Sequence, residues 1–122
     1  MNYSDFAIDP AMIISKELSK TDVVGNIILP KAQVRSVLTK MKDVTDSRLQ
    51  SGIEVQVQDL VENDVYTVTL RCIDNAKYSF GAGWNAMKYS LDLKEDQVLK
   101  LYWDHLNTKF ILLNLPYSLI MD

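Results

Sequence analysis

Two segments near the middle of the chain alternate apolar and polar residues with a period of two. Ile53, Val55 and Val57 are separated by polar residues, and the stretch from Tyr66 to Cys72 follows the same pattern. Successive side chains of a β-strand point to opposite faces, so this period predicts strands with one buried face. The polar residues 62–64 between the two segments predict a hairpin connection. A chain with this centre is expected to be rich in β-structure.

The flanking sequence predicts five further short strands. They are expected at Met12–Leu18, Ile27–Leu29, Tyr78–Phe80, Val98–Trp103 and Lys109–Leu113. About seven short strands at near-regular spacing are typical of a barrel or a sandwich.

Two short helices are also predicted. Pro30 ends the second strand and suits the first turn of a helix, because its fixed φ fits there. The apolar face of that helix would carry Val34, Val37, Leu38 and Met41. Trp84, Met87 and Leu91 have the spacing of a second helix. Residues 19–22 and 43–52 are polar and are predicted to be loops.

The length of 122 residues predicts a single domain. Residues 1–11 are expected to be a flexible lead-in, residues 12–115 the folded domain and residues 116–122 a C-terminal tail. No run of 18 apolar residues predicts a membrane span, and the first residues lack the pattern of a signal peptide. Cys72 is the only cysteine in the sequence, which suits a reducing compartment such as the cytosol or nucleus.

The residues that usually carry catalysis or bind metals are scarce. His105 is the only histidine and lies in a predicted turn, so it is interpreted as a solvated residue. Cys72 ends the apolar face of a strand and is interpreted as a core thiol. One cysteine and one histidine do not make a zinc site, and Gly81-Ala82-Gly83 is no phosphate loop. The sequence therefore predicts a protein that is not an enzyme and needs no cofactor, metal or small-molecule substrate.

Positive charge is concentrated in two parts of a chain whose net charge is −3. Residues 15–50 carry seven Lys and Arg against four acids, and residues 71–90 carry three against one, whereas residues 51–70 carry four acids and no base. Two polar segments within these basic parts, Lys16–Asn26 and Arg71–Tyr78, combine Lys or Arg with Asn, Ser or Thr. These residue types contact phosphates and base edges.

Several motifs, in order, resemble those of the plant B3 DNA-binding domain. Lys16 to Val23 is similar to the family's Leu-Thr/Ser-x-Ser/Thr-Asp-Val opening, and Ile27 to Lys31 resembles its Leu-x-Ile/Leu-Pro-Lys run. Gly83-Trp84, followed by Leu91 and Leu93-Lys94-Glu95, resembles its Gly-Trp-…-Leu-x-x-Gly-Asp segment. Leu101-Tyr102-Trp103-Asp104 is similar to a divergent subfamily. The resemblance covers roughly residues 9–115.

The resemblance implies a seven-stranded open β-barrel (pseudobarrel) with two short α-helices. It also implies a nuclear transcription regulator that binds double-stranded DNA, with two loops acting as arms in the major groove. Here the first arm would be Lys20–Asn26 and the second Arg71–Tyr78. The expected DNA-binding residues are Lys20, Thr21, Asn26, Lys31, Arg71, Asp74, Asn75 and Lys77.

The sequence departs from the family pattern at several positions. Asn26 stands where the family often has an arginine, Ile73 lies nearest to a frequent arm tryptophan, and Asp96-Gln97 replaces the Gly-Asp turn. The loss of an arm arginine removes a strong contact with phosphate or guanine. These departures and the acidic net charge leave open an alternative, a B3-like fold that no longer binds DNA and serves protein–protein interaction or self-association.

Some residues have structural interpretations beside the functional ones. Trp84 and Trp103 lie in apolar stripes and are expected in the core. Asp22 is expected to brace its loop by accepting backbone hydrogen bonds. Lys88 is interpreted as a solvated helix residue, with phosphate contact as the alternative. Arg71 has two open interpretations, DNA contact and pairing with a nearby acid.

Overall fold

The computed structural model describes residues 8–74 and 77–113, whose strands all belong to one seven-stranded sheet. The predicted lead-in lies mostly outside this part, although Pro10–Met12 forms a 3-10 turn. The predicted tail at 116–122 lies wholly outside it. The strands are β1 (Ile13–Glu17), β2 (Ile27–Leu29), β3 (Ile53–Asp59), β4 (Asp64–Ile73), β5 (Lys77–Phe80), β6 (Val98–Asp104) and β7 (Lys109–Leu112).

The sheet forms a nearly closed barrel, as predicted. Its strand order is β1-β6-β7-β3-β4-β5-β2. All neighbours are antiparallel except β3 and β7, which are parallel and meet only at Val57–Phe110 and Gln58–Ile111. This pairing joins β7 to the second half of β3, and the first half of β3 extends beyond it.

Burial along the strands confirms the alternation read from the sequence. Ile53, Val55 and Val57 are buried, whereas Glu54 and Gln56 are exposed. The buried residues of the strands meet inside the barrel, and both tryptophans join them as expected. Trp84 is fully buried, and the ring of Trp103 packs edge-on against Phe110 at a centroid distance of 5.0 Å.

Four short helices accompany the sheet in the described residues, two more than predicted. The expected ones are α2 (Lys31–Leu38) and α4 (Trp84–Ser90). The predictions of polar loops at 19–22 and 43–52 were wrong in part, because α1 (Lys20–Val24) and α3 (Asp46–Ser51) form there.

Capping side chains explain both additional helices. At α1, the Ser19 hydroxyl accepts from the Asp22 amide at 3.1 Å and the Asp22 carboxylate accepts from the Ser19 amide at 2.9 Å. At α3, the Thr45 hydroxyl accepts from the amide of Arg48 at 3.2 Å. Such caps satisfy amides that have no partner within the helix. Helices of five and six residues are too short to show an apolar period, so the pattern alone did not reveal them.

None of the helices in the described ranges is long and apolar enough to cross a membrane. Each one begins or ends beside a strand, and α1 and α4 lie at the end of the barrel where β2 starts. Three of the predicted DNA-binding residues, Lys20, Thr21 and Asn26, lie at this end.

Candidate nucleic-acid interface

A polar groove brings together two of the predicted residues from opposite halves of the chain. Asn26, just before β2, and Arg71, on β4, both line a cavity of about 420 Å³. We call this cavity the polar groove. Its other lining residues are Ser51, Thr69, Gly81, Ala82, Gly83 and Asn85.

The strand register explains why Asn26 and Arg71 line the same groove. β5 lies between β2 and β4, and Phe80 pairs with both Ile27 and Leu70. One step further along these strands, Asn26 lies opposite Gly81, and Gly81 lies opposite Thr69. Thr69 donates its amide to the Ala82 carbonyl and accepts from the Gly81 amide, both at 2.9 Å.

Gly83 allows the loop after β5 to lie directly on β4. Its φ is +90°, and a Cβ at this position would come within 2.0 Å of the Thr67 carbonyl oxygen. Only glycine adopts this conformation without strain, and only glycine leaves room for the strand backbone. The glycine therefore forms one wall of the polar groove, a role that the sequence showed only as a break after β5.

Arg71 is exposed and held towards α3. Its Nη2 donates to the carbonyl oxygen of Gln50 at 3.3 Å. Within residues 8–74 and 77–113, Arg71 forms no ion pair with an acid, and this carbonyl near the end of a helix accepts its hydrogen bond instead. Gly52 makes this approach possible, because a Cβ there would lie 3.1 Å from Arg71 Cγ. The remaining guanidinium donors can still reach a ligand in the groove.

The first predicted arm is the helix α1 and not a loop. Lys20 and Thr21 are exposed on it, while Asp22 is buried. The Asp22 carboxylate accepts from the amides of Ser19 and, at 3.2 Å, Ile28, and lies 3.6 Å from Lys16 Nζ. The prediction that Asp22 braces this segment is confirmed, and its side chain is unavailable to DNA.

Two side chains of helix α4 hold this arm by hydrogen bonds to its backbone. Trp84 Nε1 donates to the Asp22 carbonyl at 2.9 Å, and Lys88 Nζ donates to the Val23 carbonyl and, at 2.8 Å, to Asn85 Oδ1. Both interpretations of Lys88 were wrong, because only 3% of the residue is exposed. Its ammonium group meets a carbonyl near the end of α1, where the helix dipole favours a cation.

The second predicted arm is mostly strand. β4 continues to Ile73 and β5 begins at Lys77, so only residues 74–76 connect them. Asp74 and Lys77 are exposed at this tip, and Asn75 lies outside the described residues. Lys31 is exposed at the start of α2 and follows Leu29, which pairs with Tyr78. Lys31 therefore lies at the same end of the sheet as Lys77, and both are separated from the polar groove by the length of β5.

Comparison with known proteins decides the family. Residues 13–115 match the family model described as B3 domain-containing protein At5g26805, C-terminal domain. This chain belongs to the B3 domain family. B3 domain-containing protein At5g54067 of Arabidopsis thaliana is 59% identical over 122 residues, which cover 98% of this chain and 95% of that protein. Putative B3 domain-containing protein At1g50220 of Arabidopsis thaliana is 60% identical, with coverage of 97% of this chain and 58% of that longer protein.

Solved B3 structures share the fold. An Arabidopsis thaliana transcription factor LEC2–DNA complex matches with a TM-score of 0.64 and 20% identity, over 86% of this chain and 96% of that one. The Arabidopsis FUS3–DNA complex matches with a TM-score of 0.61 and 20% identity, over 80% and 91%. The family confirms the predicted barrel and the prediction that this B3 domain is not an enzyme.

Three polar residues of the groove in this B3 domain were missed by sequence reasoning. Ser51 is the last residue of α3, Thr69 lies on β4 and Asn85 is the second residue of α4. None lies in Lys16–Asn26 or Arg71–Tyr78, the two polar segments selected from the sequence. Thr69 carried a usable signal, because it precedes Arg71 by two residues and therefore points to the same face of its strand.

Proposed function

We propose that this B3 domain binds double-stranded DNA through its two arms in the major groove, as a transcription regulator in the nucleus. The observation that carries the proposal is the polar groove, which is lined by both Asn26 and Arg71, two exposed residues from either side of β5. An asparagine pairs bidentately with adenine, and an arginine pairs with guanine or a phosphate. Side chains of both types in one concave surface suit the edge of a base pair.

Exposed cations outside the polar groove favour phosphate contacts. Lys20 on α1, Lys77 at the tip of the second arm and Lys31 at the start of α2 are all exposed. Contacts of this kind fix the orientation of a protein on the duplex but carry no sequence information. Lys20, Thr21, Lys31 and Lys77 are therefore assigned to phosphate contacts, and Asn26 and Arg71 to base reading. The carboxylate of Asp74 repels phosphate, so its assigned role is to accept a hydrogen bond from a base.

Family membership supports the same proposal. The LEC2 and FUS3 structures are DNA complexes of proteins with this fold. Because the net charge is −3, binding by this chain is expected to depend on a local arrangement of cations. Contacts of those cations with phosphates release counterions, so the affinity is expected to fall steeply with salt.

The test is selection of duplexes from a random pool at low salt, followed by titration of the enriched site at several salt concentrations. Arg71→Ala is expected to weaken specific binding by about 5- to 150-fold, as for loss of a bidentate base contact of about 1–3 kcal/mol. Lys77→Ala is expected to weaken all sequences alike and to reduce the salt slope by about one. Lys40→Ala is the matched control, because Lys40 is exposed and lies outside both arms.

Failure to enrich any motif, together with no retention of duplex at low salt, would refute DNA binding. That outcome would favour the alternative of a B3 fold used for protein–protein interaction. Enrichment that Arg71→Ala leaves unchanged would keep DNA binding but remove the polar groove as the reading surface.

A further inference from the structure

The edge of β3 is open over its first half. β3 pairs with β4 through all seven residues, from Ile53 to Asp59, but it meets β7 only at Val57 and Gln58. In the described part of the chain, Ile53–Gln56 therefore has a strand neighbour on one side alone. A strand edge of this kind presents unpaired backbone donors and acceptors.

A cleft of about 530 Å³ follows this edge. Residues from both faces of β3 line it, buried Ile53 and Val55 as well as exposed Glu54 and Gln56. A cavity that touches both faces of a strand lies along its edge. We call this cavity the edge cleft. It includes none of the residues assigned to DNA.

One residue that lines the edge cleft carries a hydrogen-bond donor for which the described residues supply no acceptor. Trp103 lines the cleft and is 4% exposed, and its buried Nε1 has no partner among the described residues. The other tryptophan shows the usual arrangement, since Trp84 Nε1 donates to Asp22 at 2.9 Å. Buried indole N–H groups normally find a partner, so each exception asks for an explanation.

The charge of the cleft lining is positive. Lys42 and Arg48 come from the segment between α2 and β3, and Glu54 is the acid among the lining residues. One guanidinium nitrogen of Arg48 donates to the Asp43 carbonyl, which holds the side chain over the cleft and leaves its other donors available. Apolar Met41 and Val44 come from the same segment.

We propose that an extended peptide segment of a partner protein, with acidic and apolar residues in alternation, binds in the edge cleft as an added strand on β3. Its backbone would pair with the open edge at Ile53–Gln56, and one of its carbonyl groups would supply the acceptor that Trp103 lacks. Alternate side chains of a strand point to opposite faces. The apolar ones would meet Val55 and Trp103, and the acidic ones Lys42 and Arg48. Strand addition at a sheet edge is a recurrent mode of peptide recognition.

The test uses the full ¹⁵N-labelled chain without DNA and a capped hexapeptide of alternating glutamate and valine. The control peptide has lysine in place of glutamate. We expect the acidic peptide to shift the amide signals of 53–56 and the indole signal of Trp103. The indole of Trp84, already paired, is expected to stay unchanged and serves as the internal control.

Two surface variants test the charge argument. Lys42→Glu is expected to weaken binding of the acidic peptide about threefold or more, because an attractive surface pair becomes a repulsive one. Lys40→Glu makes the same change outside the cleft and is expected to alter the affinity less than about twofold.

Three results would overturn the proposal. The first is the absence of any shift at 53–56 with either peptide at millimolar concentration. The second is equal binding of the acidic and the basic peptide. The third is a shift at these amides that grows with protein concentration when no peptide is present, because the occupant would then be a second copy of the chain.

Discussion

The buried ammonium group of Lys88 gives a sharp test of how the first arm is held. Lys88 is 3% exposed and donates to the Val23 carbonyl and to Asn85 Oδ1. Lys88→Met keeps the length and the apolar stem of the side chain but removes both donated bonds. We expect the variant to fold with lower stability and a less ordered α1.

The magnitude follows from the two bonds. A hydrogen bond to a charged group contributes about 1.5–3 kcal/mol to stability after the loss of hydration is counted. Asn85 is exposed, so its side chain regains water and its bond adds little. The Val23 carbonyl is half-buried and keeps an unfilled acceptor. The free energy of unfolding is therefore expected to fall by about 1.5–3 kcal/mol.

Urea unfolding of the wild type, Lys88→Met and Lys94→Met measures this difference. Lys94 is the matched control, because it pairs with Asp92 at 3.1 Å while both side chains are mostly exposed. Such a surface pair contributes little, so Lys94→Met is expected to change stability by less than about 0.5 kcal/mol. Amide exchange at Gly25, which donates to the Thr21 carbonyl at 2.8 Å, reports the order of α1 directly.

An unchanged or increased stability of Lys88→Met would refute this reasoning. It would mean that the cost of burying the ammonium group exceeds the gain from its two hydrogen bonds, as occurs for some buried charges. A loss of stability without faster exchange at Gly25 would show that Lys88 stabilises α4 and not the arm.

Three further predictions concern the supports of the barrel. Gly83→Ala is expected to lower the free energy of unfolding by at least about 2 kcal/mol, since φ is +90° and the added Cβ meets the β4 backbone. Gly81→Ala is the control and is expected to lower it by less than about 1 kcal/mol, because a Cβ at Gly81 has no atom within 4 Å. Equal effects of the two variants in thermal unfolding would contradict this prediction. Asp22→Ala is expected to lower the free energy of unfolding by about 2–4 kcal/mol in the same assay, because the amides of Ser19 and Ile28 lose their acceptor. A change below about 1 kcal/mol would argue against this role. Burial, with smaller effects of Asp104 and Asp9, raises the pKa of Tyr102 above its usual 10.0. The stability that the protonated phenol contributes is therefore complete below about pH 10 and is lost as the pH rises through the folded pKa. Tyr102→Phe is expected to flatten the dependence of the free energy of unfolding on pH in this alkaline range, as measured with urea, and an unchanged slope would contradict this prediction.

The sheet was predictable because its signal is local. Each residue from Ile53 to Val57 shows its burial through its own polarity, and neighbouring residues repeat the signal. Helix α1 has no such repetition in five residues, and its capping residues Ser19 and Asp22 were interpreted from the sequence as part of a polar loop. Lys88 could not be predicted to be buried, because its partners are carbonyl and amide oxygens, one of them 65 residues away in the chain.

The candidate site was predictable only in part, because its residues meet through cross-strand pairing. Asn26 and Arg71 were both selected from their residue types, but their contact with one groove depends on β5 lying between β2 and β4. Ser51 and Asn85 come from two further segments and carry no distinctive pattern. The sequence therefore identified candidate DNA-binding residues, and the strand order determined which of them line the polar groove.

The same geometry separates the residues that hold the arm from those that would read DNA. Asp22, Trp84 and Lys88 are buried, and the side chains of Trp84 and Lys88 donate hydrogen bonds to backbone carbonyls of α1. Substitutions at these positions are therefore expected to alter the fold. Asn26 is exposed at the rim of the polar groove, and no packing argument ties that position to asparagine. An arginine is frequent at this position in the family, and the exchange is expected to change what the groove contacts at little cost in stability. Packing in this chain therefore constrains the residues that support the arm more strongly than those that line the polar groove.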